Sequence, residues 1–168
     1  MGDHAMTAPD PAAIQQMLDR MAIDELHGRY LFALDWLDAD TIAALFTEDG
    51  VLDWAGGIVE GREAIRAEVH QMVDYFGRLA QADAPKRPSR LRHFVTNKLF
   101  RIDGDRATSL AFWFEIDNDN RQRWPYVGGY GHYEDEILRT AQGWRFTRRK
   151  IFNELIEDRI GPATNPGW

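Results

Sequence analysis

The hydrophobic period changes once along this chain, from a helical repeat in its first half to a strand alternation in its second. Between residues 14 and 37, apolar residues recur at steps of three and four, which is the spacing of an amphipathic helix. From Arg90 onward, long alternating runs are separated by turn sequences such as Asp103-Gly104-Asp105. Helices followed by hairpins are the order of an α+β domain.

The same patterns predict the individual elements. They give a helix over 11–36, a short helix from 40, a short strand over 51–54 with its hairpin partner at 58–59, a helix from 62, a loop over 81–89, and four long strands over 90–102, 107–117, 124–139 and 143–156. We expect a disordered leader over 1–10, a single domain over 11–160 and an irregular tail over 161–168.

A long antiparallel sheet that packs on helices by one face can curl into a cone around a pocket. The doublet Gly128-Gly129 in the third long strand fits a bulge or sharp bend of that kind. A loop between two shorter strands explains the two glycines equally well. We therefore predict a cone-like curved antiparallel sheet wrapped around the N-terminal helices and enclosing an apolar pocket.

Composition removes several classes of function. The chain has no Cys, which excludes disulfide scaffolds, thiolate catalysis and Cys-ligated metal sites. Its formal charge of −7 argues against nucleic acid as a partner. No apolar run approaches the roughly 18 residues of a membrane span, so we expect a cytoplasmic protein with no membrane partner.

Three polar residues stand out because they are set in apolar surroundings. Tyr30 and Asp35 belong to the first helix, and His93 lies on the first long strand. An Asp–His pair is a workable general acid or base near neutral pH. Each residue also has a structural explanation: Asp35 at a helix end can face water, and a strand histidine can be a packed core residue.

Further candidates follow on the strands. Strand alternation places Asn97 on the same face as His93, and places Glu115 and Asp117 on one face with Trp113. The histidines show no metal-binding spacing, and the basic run Arg145, Arg148, Arg149, Lys150 is interpreted as an exposed strand face. The substrate-binding residues that we predict are Trp54, Asn97, Trp113, Glu115, Asp117 and Tyr126.

The chain resembles the SnoaL-like branch of the nuclear transport factor two-like superfamily. The resemblance rests on Ile23–Tyr30 with Leu34-Asp35, on Leu45–Gly50, on Arg92-His93-Phe94 with Asn97, and on Gly143–Phe146. Bile-acid 7-alpha-dehydratase and scytalone dehydratase are similar members. The resemblance implies Asp35 and His93 as the acid/base pair, Tyr30 as a hydrogen-bonding partner, and no cofactor.

The expected function is a cofactor-independent lyase that acts on an apolar aromatic or polycyclic hydroxylated substrate. It carries out a dehydratase-type elimination in which His93, held by Asp35, is the general base. An isomerase or cyclase using the same base is one alternative. A structural small subunit of an aromatic-ring-hydroxylating dioxygenase, or a pocket that only binds an apolar ligand, is another. We expect a homodimer or homotrimer.

Overall fold

The computed structural model describes residues 10–81 and 91–167, and within them it has the α+β architecture that the sequence predicts. A six-stranded curved sheet packs against three helices. In chain order the elements are α1 Pro11–Asp35, α2 Ala39–Ala44, β1 Phe46–Trp54, β2 Gly57–Glu60, α3 Arg62–Gln81, β3 Arg92–Asp103, β4 Arg106–Asp117, β5 Tyr126–Thr140 and β6 Gly143–Ile151, followed by a single 3₁₀ turn at Glu157–Arg159.

The ends of α1 are set by local hydrogen bonds. The Asp10 carboxylate accepts the N–H of Ala12, and Pro11 occupies the first turn, where a missing N–H costs nothing. At the other end Leu37 takes a left-handed conformation with φ of 53°. The N–H of Asp38 then returns to the carbonyl of Ala33, which stops the helix and leaves Asp35 as its last residue.

The strand order is β2-β1-β6-β5-β4-β3. Every neighbouring pair is antiparallel except β1 with β6, which are parallel. The expectation of an antiparallel sheet is wrong for this pair. Short turns force their two strands to be antiparallel, whereas β1 and β6 lie far apart in the chain and no hairpin fixes their relative direction.

Register shifts interrupt three of the long strands. They fall on β3 between Thr96 and Leu99, on β5 opposite Glu115 and Ile116 of β4, and on β6 opposite Glu136 and Ile137 of β5. Each shift changes which residues face the helices, because strand side chains alternate with a period of two. β5 runs continuously through Gly128-Gly129 with the extra residue on its side, so the bulge interpretation is confirmed over the loop.

Two predicted boundaries differ from the observed ones. β6 ends at Ile151 rather than at residue 156. Beyond it, the N–H groups of Phe152 and Glu154 still donate to the β5 carbonyls of His132 and Tyr130, but the segment is irregular. Gln81 ends α3, and the rest of the predicted loop lies outside the described residues. Trp168 and, apart from Asp10, the whole predicted leader also lie outside them.

The core lies between the helices and the inner face of the sheet. The aromatic rings of Tyr30, Phe46 and Phe146 meet there edge to face or tilted, and Tyr133 stacks on Trp113 with ring centroids 5.9 Å apart. Such rings bury large apolar areas and hold fixed positions. Within the described residues, no helix is both long enough and apolar enough to cross a membrane.

Candidate active site

A cavity of about 180 Å³ opens between the inner face of the sheet and the three helices. Its walls are mostly aliphatic and aromatic, which suits a flat apolar ligand. The polar side chains that reach it are few and come from different elements. They are Tyr30, His93, Glu115, Tyr133 and Asn153.

Asp35 and His93 meet at the side of this cavity. The Asp35 carboxylate accepts a hydrogen bond from Nδ1 of His93 at 2.8 Å, and both its oxygens lie 3.1 Å from the backbone N–H of the same residue. Three hydrogen bonds from one residue fix both the ring and the strand against the end of α1. Because Nδ1 donates to Asp35, Nε2 is the ring nitrogen that faces the cavity.

Glu115 completes the arrangement on β4. Its Oε2 lies 3.0 Å from Nε2 of His93, so the imidazole is held between two carboxylates. β3 and β4 pair His93 directly with Glu115, which explains why the two side chains share one face. The exposed fractions of the three side chains are 6% for Asp35, 10% for His93 and 19% for Glu115.

The two carboxylates control the protonation state of His93. Burial by itself lowers the pKa of a histidine, but the hydrogen bonds to Asp35 and Glu115 outweigh it and raise the pKa of His93 to about 9. At neutral pH the ring is therefore an imidazolium with two N–H donors. It can donate a proton to a ligand at Nε2, while Glu115 beside it can accept one.

Tyr30 lies on the cavity floor above a buried cation. The guanidinium of Arg149 sits 4.1 Å from the centre of the Tyr30 ring and 4.3 Å from that of Tyr133. Burial raises the pKa of the Tyr30 hydroxyl, and Arg149 opposes that effect. The hydroxyl therefore stays protonated and available as a hydrogen-bond donor.

Arg149 belongs to a fully buried network beneath the cavity. It forms two hydrogen bonds of 2.8 and 2.9 Å to the carboxylate of Asp135 and a third of 2.9 Å to Nδ1 of His27. Since Nδ1 accepts, Nε2 of His27 carries the proton and donates to Ser109, whose hydroxyl donates to Asp135. Burial and then Arg149 lower the pKa of His27 to about 3, which keeps the ring neutral.

The sequence-predicted site residues fall into two groups. Tyr30, Asp35, His93 and Glu115 come together at the cavity, and Trp54 and Trp113 line its walls. The other three lie away from it. These are Asn97, Asp117 and Tyr126.

Each of the three has a local reason for its position. Asn97 is exposed in the β3 bulge with φ of 52°, and the bulge breaks the alternation that placed it beside His93. The Asp117 carboxylate turns to the backbone N–H of Asp119, and the Tyr126 hydroxyl donates to Asp119. The structure therefore places these three predicted substrate-binding residues outside the lining of this cavity.

Sequence reasoning missed Arg149, which was assigned to an exposed strand face. Trp144 and Phe146 face inward, and simple alternation would continue inward at Arg148. The register shift opposite Glu136 and Ile137 moves the inward phase to Arg149 instead. The sequence carries no local signal for that shift. Asn153 was also missed, because it was read as part of a regular strand.

Comparisons with known proteins identify the family and the fold of this chain. A family model described as a SnoaL-like domain matches residues 15–150. The uncharacterized protein Rv2910c of Mycobacterium tuberculosis is 29% identical over 151 residues, covering 86% of this chain and 93% of that protein.

Solved structures give the same result for the fold. The Rv3472 protein of Mycobacterium tuberculosis superposes with a TM-score of 0.72 and 26% identity, covering 94% of this chain and 84% of that one. A candidate scytalone dehydratase from Novosphingobium aromaticivorans superposes with a TM-score of 0.69 and 20% identity, covering 92% and 96%. At that identity the second likeness concerns the fold alone.

Proposed function

Because the chain belongs to the family of SnoaL-like domains, we propose that it is a cofactor-independent lyase that eliminates water from an apolar, hydroxylated aromatic or polycyclic substrate. One observation carries the proposal. An imidazolium, His93, is held between the carboxylates of Asp35 and Glu115 at the wall of an apolar cavity. Such a site places a proton donor and a proton acceptor side by side next to a desolvated ligand.

The proton transfers follow from the positions of the groups. The Glu115 carboxylate takes a proton from a carbon next to a carbonyl or an aromatic ring, and Nε2–H of His93 protonates the departing hydroxyl, which leaves as water. The proton then passes from Glu115 to the neutral His93 and restores the resting site. Asp35 holds the ring in place throughout, since its carboxylate binds the other ring nitrogen.

Tyr30 has a separate role in this proposal. Its hydroxyl donates a hydrogen bond to the oxyanion that develops when the carbon loses its proton. The Arg149 guanidinium beneath its ring makes that donation more favourable, because a nearby positive charge stabilises a partly deprotonated phenol. From the sequence we expected His93 to be the base. Because the pKa of His93 is raised to about 9, the proposal assigns the base role to Glu115 and makes His93 the acid.

The first experiment measures proton transfer without knowledge of the natural leaving group. β-Tetralone, an apolar aromatic ketone with acidic C–H groups, is incubated in D₂O with the protein, and its deuterium uptake is followed by NMR. Glu115→Gln and Asp35→Asn are expected to slow enzyme-dependent exchange by about a hundredfold or more, the usual contribution of a general acid or base. His70→Gln, on an exposed face of α3, is the matched control and should exchange at the wild-type rate.

The pH profile separates the two assignments of roles. If Glu115 is the base and His93 the acid, the exchange rate does not rise as pH passes through about 9, where the ring loses its proton, because β-tetralone has no hydroxyl for His93 to protonate. A rate that rises through the same region would give the base role to His93 instead. Hydroxylated aromatic ketones are then screened by mass spectrometry. Loss of water indicates a lyase, and a product of unchanged mass indicates an isomerase or cyclase.

A further inference from the structure

The glycine pair of β5 lies directly opposite the carboxylate that contacts His93. Glu115 on β4 pairs with Gly129, and Gly128 is the extra residue of the bulge. Neither glycine has a positive φ, whereas four other glycines in the described residues do. The backbone at Gly128 and Gly129 is therefore open to any L-residue, and conformational freedom does not explain the glycines.

Space explains them instead. A Cβ atom built on Gly129 would lie 2.8 Å from Oε1 of Glu115 and 3.4 Å from its Cδ. A Cβ on Gly128 would lie 3.2 Å from the same Oε1 and 3.1 Å from Cβ of Asp117. The carboxylate thus occupies the volume that a side chain at residue 129 would fill.

Two other glycines show how specific this contact is. At Gly131 a Cβ would meet the backbone carbonyl oxygen of Phe152 at 2.1 Å, an obstacle that cannot move without displacing the chain. At Gly28, on α1, a Cβ would meet nothing within 4 Å. At Gly129 the closest obstacle is the far end of one flexible side chain, so the strain of an added methyl is relieved by moving that side chain alone.

We propose that Gly129 is a positioning residue, whose missing side chain lets the Glu115 carboxylate rest against Nε2 of His93. A methyl group at residue 129 pushes the carboxylate off the ring while the sheet stays intact. The link to catalysis rests on the function proposed above, but the placement of Glu115 does not depend on it.

The test is Gly129→Ala, and its primary measurement is the NMR titration of His93. Loss of the Glu115 contact removes one of the two hydrogen bonds that raise the pKa of His93 to about 9. We expect the pKa to fall from about 9 toward the value found in Glu115→Ala, because the contact is lost while the displaced carboxylate keeps its charge, and we expect β-tetralone exchange to slow. Gly28→Ala is the matched control and should change neither.

A double-substitution cycle makes the test specific to the proposed contact. In a Glu115→Ala background, where the side chain that would meet the added methyl is gone, Gly129→Ala should leave the pKa of His93 where the single Glu115 substitution put it. The proposal is overturned if Gly129→Ala leaves the pKa at its wild-type value, or lowers it further in the Glu115→Ala background.

Two remaining outcomes are also decisive. If Gly129→Ala unfolds the protein, it is combined with Glu115→Ala, which removes the obstructing side chain; recovery of the folded state supports the proposal, and continued unfolding overturns it. If the wild-type protein neither exchanges nor dehydrates any probe while Gly129→Ala still lowers the pKa of His93, the positioning holds and the lyase proposal fails.

Discussion

His93 joins three elements through one ring. Its strand, β3, is tied to the end of α1 by Asp35 and to β4 by Glu115. The two carboxylates and the imidazolium are all largely buried, so each charge is stable only while its partner is present. Removing one of these three side chains leaves a buried charge without its counterion. His93 therefore affects the stability of the fold as well as the proposed chemistry.

The first prediction from this arrangement concerns stability against pH. The pKa of His93 is raised from an ordinary 6.5 to about 9, so the folded state binds the proton more tightly than the unfolded chain. The resulting stabilisation is fully present below pH 6.5 and is lost as pH rises through 9. Its size is at most about 3 kcal/mol, since each pKa unit corresponds to about 1.4 kcal/mol.

Urea unfolding measured from pH 6 to pH 10 checks this. The free energy of unfolding should fall across that range in the wild-type protein and stay nearly level in His93→Gln. Equal slopes for the two proteins would show that His93 is not the group responsible. His70→Gln serves as the control for loss of an exposed histidine.

Among the candidate site residues, the sequence predicted those that a short motif specifies. Tyr30, Asp35 and His93 could be predicted because each is a polar group in an apolar run and matches a family pattern. Asn97 could not be placed, because its orientation depends on a bulge whose position is set by pairing with β4 rather than by neighbouring residues.

Among the elements, β6 has the most unusual composition for its position. Its inward face carries Phe146 and the fully buried Arg149, and the latter finds its counterion, Asp135, on the adjacent strand. The next residue back, Arg148, is partly exposed and pairs with Asp53 on β1. Two neighbouring arginines of one strand thus have opposite environments.

This contrast gives a matched pair of substitutions. Arg149→Met leaves Asp135 buried without its partner and should lower the free energy of unfolding by about 3–5 kcal/mol. Arg148→Met should cost about 1 kcal/mol or less, since it is more exposed and Asp53 keeps a second partner in Arg159. Urea unfolding measures both.

A second substitution tests whether the buried charge is the cause. Adding Asp135→Leu to Arg149→Met removes the unpaired carboxylate and should restore much of the lost stability. Equal losses for Arg148→Met and Arg149→Met would contradict the assignment of Arg149 to the core. The sequence predicted β6 itself from its alternation, but the face of each arginine depends on the bulge.

The whole molecule is closed by contacts between distant parts of the chain. β1 pairs with β6, and Asp53 of β1 also binds Arg159 beyond the last strand. The backbone carbonyl of Arg159 accepts the N–H of Asn153, a cavity-wall residue, at 2.8 Å. The segment after β6 therefore forms part of the cavity wall, and the ion pair between Arg159 and Asp53 holds it against β1.

Removing the ion pair between Asp53 and Arg159 should make the cavity wall at Asn153 more mobile. Arg159→Ala leaves Asp53 with one cation and should cost about 2 kcal/mol, the contribution of a hydrogen bond to a charged group. Hydrogen exchange at the amide of Asn153 should accelerate more than exchange at β4 amides. Arg121→Ala, an exposed loop arginine, is the control and should change neither. Unaltered exchange at Asn153 in Arg159→Ala would contradict the anchoring role.

The overall order of helices and then hairpins could be predicted, because each period is a local property of the sequence. The parallel pairing of β1 with β6 could not, since no turn or motif links residues so far apart. The pocket was predicted in kind, as an apolar space inside a curved sheet, but the position of Arg149 beneath Tyr30 and Tyr133 depends on the register shift between β5 and β6, which no local pattern signals.

The pairing of β1 with β6 also has a consequence during synthesis on the ribosome. Until translation has passed β6, which ends at Ile151, β1 has only its short hairpin partner β2. Until then, a nascent chain carries an incomplete sheet edge and uncovered core side chains. The sheet therefore cannot close before β6 has been made, and chains that stop short of β6 keep an unpaired edge that is prone to aggregation.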